Sequence, residues 1–165
     1  MRSLLIRITL VTFLFVFFIS GQLQARQKSD GRFIAKGNGT VLDTKTGLMW
    51  AAKDNGEDID WVDAKRYCEN YRRGSYTDWR MPTQDELAGL FDWAKSYKSD
   101  CRIIVHLTEL IRLSCTFVWA SETRSNDAAH FHFRVGQRAG VTSPTTSPGH
   151  SRCVLASRLF GHLVL

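Results

Sequence analysis

His130, His132 and Arg134 alternate along one short run, with Arg124 and Arg138 on either side of it. Residues two apart in a strand project the same way, so the first three would share one face. Guanidinium forks match sulfate or carboxylate oxygens through two parallel hydrogen bonds, which makes an anion the natural ligand of such a face. His130-x-His132 could instead hold a metal ion, with His106 or His150 supplying a third ligand. A solvated strand face of no particular function has the same alternation, so the pattern alone does not choose among the three.

The four cysteines offer a different chemistry. Cys68, Cys101, Cys115 and Cys153 are separated by 33, 14 and 38 residues, and no Cys-x-x-Cys pair suggests a zinc ribbon or a redox centre. Structural crosslinks are the expectation, nested with Cys68 to Cys153 outside and Cys101 to Cys115 inside. No nucleophile paired with a base, metal cage or phosphate loop is legible, so the chain carries no assigned catalytic residue and implies no cofactor. The acidic stretch from Asp54 to Asp58 lacks the alternating ligands and closing Glu of an EF-hand and reads as a solvated loop.

Charge is unevenly placed. Residues 26 to 100 hold 13 Lys or Arg against 13 Asp or Glu, whereas residues 101 to 165 hold 7 Arg against 3 acids and all five histidines. The cationic half would attract anionic polymers with salt-dependent strength, or merely keep a small domain soluble. Nucleic acid is the disfavoured polymer, for there is no reading motif and no Lys/Arg stripe interleaved with exposed aromatics.

Arg2 and Arg7 precede an apolar run from Ile8 to Ile19 that is followed by Ser20-Gly21 and a small residue, Ala25, at a plausible processing point. Residues 1–25 read as a secretory signal peptide, with an uncleaved anchor as the weaker alternative. The expected location is the periplasm or the exterior of a bacterium, with no stable membrane span after cleavage. The remaining 140 residues (165 − 25) suffice for one domain.

The elements that must position these groups follow from periodicity and turn chemistry. Residues 26–38 form a polar leader. Thr40 to Asp43 and Leu48 to Ala52 read as a hairpin turned at Gly47. Asp60 caps a helix whose inward positions are Trp61, Ala64, Cys68 and Tyr71, with Arg72-Arg73-Gly74 closing it. Thr83-x-x-Glu86 is a capping box ahead of a second helix with Leu87, Leu90, Phe91 and Ala94 inside. Between the helices, Asp78 and Arg80 flank Trp79 as ties between a loop and a helix end. Ile103 to Val105 suggests a short strand and Leu107 to Ser114 a helical turn or two. Phe117 to Ser121 and Ala129 to Val135 are strands, the latter with Phe131, Phe133 and Val135 inside and His130, His132 and Arg134 outside. Trp93 falls off the second helix's buried stripe and is expected at the surface.

Several of these blocks occur together in one known family. Thr46-Gly47-Leu48-Met49-Trp50, Trp61-x-x-Ala64 with Tyr67-Cys68-Glu69-Asn70, Tyr76-Thr77-Asp78-Trp79-Arg80-Met81-Pro82-Thr83-x-x-Glu86-Leu87 and Trp119-Ala120-Ser121-Glu122-Thr123 stand in order from about Gly39 to Val135. In these blocks the chain resembles the Lcl C-terminal domain family, bacterial exported or surface domains named after a collagen-like adhesin. The resemblance implies an α+β fold similar to C-type lectins and to formylglycine-generating domains: a curled antiparallel sheet with two helices and long irregular loops. It also implies a binding role, since some adhesin members bind sulfated polysaccharides. Beyond Gly136 the chain departs from the family's pattern, and Val154-Leu155-Ala156-Ser157-Arg158 is only a faint echo of its ending. The domain is therefore expected over residues 39–158, with a divergent apolar tail at 159–165.

The functional expectation is a non-catalytic, exported binding or adhesion domain at the bacterial envelope for an anionic, sulfated polysaccharide, contacted by Arg124, His130, His132, Arg134 and Arg138. A formylglycine-generating type of oxidase is the first alternative, although its reactive cysteine pair is missing, and fold alone does not carry activity. A metal-binding envelope protein using His130 and His132 is the second.

Overall fold

A computed structural model describes residues 28–125, 127–142, 152–153 and 157–159. In chain order the first elements are β1 (Ser29–Asp30), β2 (Phe33–Ala35), β3 (Thr40–Asp43), β4 (Leu48–Ala51), α1 (Trp61–Asn70) and α2 (Gln84–Leu90). There follow β5 (Tyr97–Lys98), β6 (Ile104–Val105), β7 (Phe117–Arg124), β8 (Asp127–His132), β9 (Gln137–Thr142), β10 (Arg152–Cys153) and β11 (Ser157–Leu159).

The β3–β4 hairpin forms as its sequence dictates. Gly47 takes the left-handed φ of 70° and its N–H returns to the Asp43 carbonyl at 2.9 Å. Two strands from the polar leader, β1 and β2, extend this hairpin on one side, and β11 pairs with β4 on the other. The result is a five-stranded antiparallel sheet ordered β1-β2-β3-β4-β11. A second sheet, ordered β10-β7-β8-β9, is antiparallel except where β10 runs parallel to β7. A third consists of β5 and β6 alone.

The expected α+β, C-type-lectin-like build with one curled sheet is not what forms. The chain is mostly β, its strands are divided among three sheets, and its helices are only ten and seven residues long. Both helices stop because the next residue, Tyr71 or Phe91, turns to extended backbone, so Ala94 lies beyond α2 and is exposed. The stretch from Leu107 to Ser114 is not helical either. It is pinned as turns by Tyr97, whose hydroxyl donates to the Ile111 carbonyl at 2.8 Å and accepts the Leu113 N–H at 2.7 Å. Buried side-chain bonds of this kind override a weak local preference for helix.

The core joins the two large sheets through Trp50, Met49, Trp119, Phe131, Phe133, Leu87, Leu90 and Ile111, all fully buried. The helices are tied into it at specific atoms. Asp60 caps α1 by accepting the Asp63 N–H at 2.8 Å, and the Trp61 indole N–H reaches the Ala120 carbonyl at 2.7 Å. Trp119 returns the favour with a 2.7 Å bond to the Ile59 carbonyl. Arg80 is forked onto Glu86 and Asp78 onto Arg158, so the residues flanking Trp79 are structural ties. Asp54 is also more than loop: its carboxylate accepts from the Ser114 N–H and hydroxyl at 2.6 and 2.9 Å.

Candidate functional site

The N-terminal end of α2 meets the β7–β8 hairpin end through a set of polar bonds that the capping box makes possible. Thr83 accepts the Glu86 N–H at 3.1 Å while Glu86 accepts the Thr83 N–H at 2.9 Å. This fixes the first turn and presents Gln84 to the sheet. The Gln84 N–H points at both oxygens of Glu122, at 2.9 and 3.0 Å, and its side-chain amide donates to the carbonyls of His130 and Ala139 at 2.9 and 2.7 Å. One residue thereby fastens α2 to β7, β8 and β9.

Around this fastening lies an open pocket of about 380 Å³, lined by Gln84, Glu122, Arg124, Asp127, Arg138 and neighbouring backbone. The register of β7 shifts between Trp119 and Thr123, so the strand end carrying Glu122 and Arg124 leaves the regular ladder before the hairpin turn. Arg138 comes from β9, opposite Phe131. Its guanidinium meets Asp85 at 2.6 Å, but both side chains are largely exposed, 53% and 86%, so the pair is weak and exchangeable. Arg124 takes part in none of the ion pairs formed among the described residues. The pocket thus offers guanidinium donors beside carboxylate and carbonyl acceptors, a mixture suited to a ligand with hydroxyls and anionic groups.

The expected site residues divide between this pocket and elsewhere. Arg124 and Arg138 are brought together in it. His130 is not at the surface at all: it is 4% exposed and packs edge-on against Phe117 and Trp119, at 5.3 and 6.2 Å between ring centroids. His132 is half-buried and stacked on Phe117 at 4.0 Å. The alternation argument failed here because β8 is covered on both faces, with Phe131 buried on the other side. Arg134 is exposed in the turn between β8 and β9, away from the pocket lining. Among the described residues no group of three or more His, Cys, Asp or Glu is arranged to hold a metal, so the two histidines gain no third ligand there. Sequence reasoning missed Gln84, Glu122 and Asp127. The capping box places Gln84 at a helix start, but nothing local says that the helix start faces β7 and β9.

Of the described cysteines, Cys68 and Cys115 are buried and Cys101 is exposed. Cys68 is fully buried in α1, as its periodicity demands, and burial pushes its thiol up to about 12, with Glu69 adding to the effect. Such a thiol is protonated and inert at neutral pH. No disulfide is formed among the described residues. The Cys101 N–H donates to the Ser114 carbonyl at 3.1 Å, which sets the backbone of Cys101 beside that of Cys115. The side chain of Cys153, and with it the expected outer bridge, lies outside the described residues, as does the signal segment.

A model of the Lcl C-terminal domain family matches residues 39–155. The chain belongs to that family. No curated protein matches the chain. The Lcl C-terminal domain, so bounded, contains the whole pocket lining, α1 and α2, and the β7–β8–β9 sheet. The strands β1 and β2 before it and β11 after it complete the five-stranded sheet.

Proposed function

We propose that this Lcl C-terminal domain is a non-catalytic binding module of the bacterial envelope, exported through its N-terminal segment, and that it holds an anionic, sulfated polysaccharide at Arg124 and Arg138. One observation carries the reading: two guanidiniums from different strands line a single open pocket, and neither is committed to a buried carboxylate. Bidentate pairing with sulfate is what such groups do best, and Arg138 would exchange Asp85 for the ligand. Glu122, Asp127 and the strand carbonyls would accept from sugar hydroxyls. In the oxidising compartment that export implies, Cys101 and Cys115 are the pair whose backbones stand side by side, and a bridge between them belongs to this reading.

The test is retention of the purified protein on immobilised heparin at low and high salt. Arg124→Ala combined with Arg138→Ala should elute at markedly lower salt than the native protein, because two counterion-releasing contacts are gone. Asp85→Ala should elute later, since Arg138 no longer has a competing carboxylate. Native protein that is not retained even at low salt, or a double variant that elutes with the native protein, overturns the proposal.

A further inference from the structure

Trp93 is 65% exposed, more than any other large apolar side chain among the described residues. It nevertheless sits in a closed triangle of rings. Phe91 meets it edge-on at 4.9 Å and 87°, His106 lies 4.6 Å away at 54°, and Phe91 and His106 are 5.8 Å apart.

Both supports are fixed by the fold. Phe91 is the C-cap of α2 and packs at 6.0 Å on the buried Phe131. Its ring fits over Gly136, where a Cβ would stand 2.8 Å from it and where the backbone φ of 68° already favours glycine. The His106 N–H donates to the Phe133 carbonyl at 2.9 Å, its carbonyl accepts the Asp92 N–H at 3.1 Å, and its Nδ1 lies 3.1 Å from the Lys95 carbonyl. Burying the indole does not explain this construction, because the indole is not buried. What the construction achieves is a flat aromatic face held in one orientation at the surface, with the ordering cost already met before any ligand arrives.

The size and rim of the platform identify its occupant. A stable protein interface needs roughly 800 Å² per partner, far more than one indole with the neighbouring exposed Val135 provides. A cage for a quaternary ammonium needs several open ring faces, but Phe91 and His106 are half-buried. A pyranose needs one open ring: its C–H face carries partial positive charge that meets the electron-rich indole face, and its hydroxyls require a polar rim. Asp92, next to Trp93 in sequence, and Arg134, next after the Phe133 whose carbonyl accepts the His106 N–H, are exposed beside the triangle and supply it.

We infer that Trp93 is a stacking subsite for a sugar ring, at the opposite end of α2 from the Arg124 and Arg138 pocket. The seven residues of α2 separate the two ends by about 10 Å, so a short stretch of one glycan chain reaches both. The inference rests on the proposed function in taking the ligand to be a glycan, but the stacking itself uses neither arginine.

Titration of tryptophan fluorescence and of heat with two probes separates the claims: a heparin-derived hexasaccharide and its fully desulfated counterpart. Native protein should bind both, with a change in indole emission. Trp93→Ala should weaken binding of the desulfated probe about tenfold, at any salt concentration, while Trp93→Phe retains most of it. The variant should melt with the native protein, because the side chain lies at the surface. The double arginine variant should lose only the salt-sensitive advantage of the sulfated probe. Unchanged binding of both probes by Trp93→Ala overturns the stacking subsite while leaving the arginine reading standing. Loss of both probes in Trp93→Ala with no effect of the arginine changes does the reverse. A native protein that binds neither probe overturns both.

Discussion

At the scale of single residues, Asp43 shows how much structure one carboxylate can hold. It is fully buried at the end of β3 and accepts from the Arg32 guanidinium, the Thr46 hydroxyl at 2.7 Å and the Lys45 N–H at 3.0 Å. Burial alone would push its carboxyl up, but Arg32, Thr46 and Lys45 outweigh burial and hold it below the ordinary carboxylate value. Its folded pKa is therefore lower than its unfolded one, so its contribution is present in full above about pH 4 and is lost as pH falls through the folded value. Asp43→Asn should cost about 3 kcal/mol, because it leaves the Arg32 charge without its partner. It should also flatten the acid limb of the stability profile. Urea unfolding of both proteins from about pH 2 to about pH 7 measures both effects, and a variant with the native acid limb would contradict the assignment. None of this was legible in the sequence, where Asp43 is only the last residue of a strand. Arg32 stands eleven residues earlier in a stretch that reads as a leader.

At the scale of elements, α2 is the piece on which both proposed subsites depend. Its short length gives it little intrinsic stability, so the capping box and the Arg80 fork on Glu86 carry much of what holds it. The same fork, with the Thr83 N–H, keeps the Glu86 carboxyl below its ordinary value although burial acts in the opposite direction. Thr83→Ala removes the hydroxyl that caps the helix and should destabilise the protein by about 1 kcal/mol. Differential unfolding in urea reads this directly, and a loss below a few tenths of a kcal/mol would show that the cap is redundant with the Gln84 contacts. This element was readable in advance because a capping box is a pattern of neighbours. Its end was not: Phe91 and Ala94 continue the helical spacing, yet the chain turns extended at Phe91, where the ring is drawn onto Phe131 and Gly136.

For the whole molecule, the decisive contacts are those that close it. β11 pairs Ser157 with Trp50 and Leu159 with Leu48, Ser157 exchanges two 2.9 Å backbone bonds with Arg80, and Arg158 lies 6% exposed between Asp78 and the Tyr76 ring. A strand that lies beyond the family match, Ser157–Leu159, is thus built into the largest sheet. A crosslink between Cys101 and Cys115 would close a second loop in the cationic half. Peptide mapping without reduction of protein purified under oxidising conditions should recover these two residues as one linked pair, and reduction should cost about 3 kcal/mol. Ready alkylation of Cys101 before reduction would remove the bridge from the proposal.

Local chemistry settled what depends on neighbours. The hairpin at Gly47, the Asp60 cap, the inward Cys68, the Thr83 box and the surface position of Trp93 all follow from residues within a few positions of one another, whose preferences act whatever the rest of the chain does, and the family follows from several such blocks standing in order. Tertiary structure decided what depends on distance along the chain. It divided the strands among three sheets, closed both faces of β8 over His130, and joined Arg124 to Arg138 across Gln84. Period-two alternation marks a strand's two sides but not what will cover them, and only the packing of α2 against β7, β8 and β9 chose which polar residues remained available to a ligand.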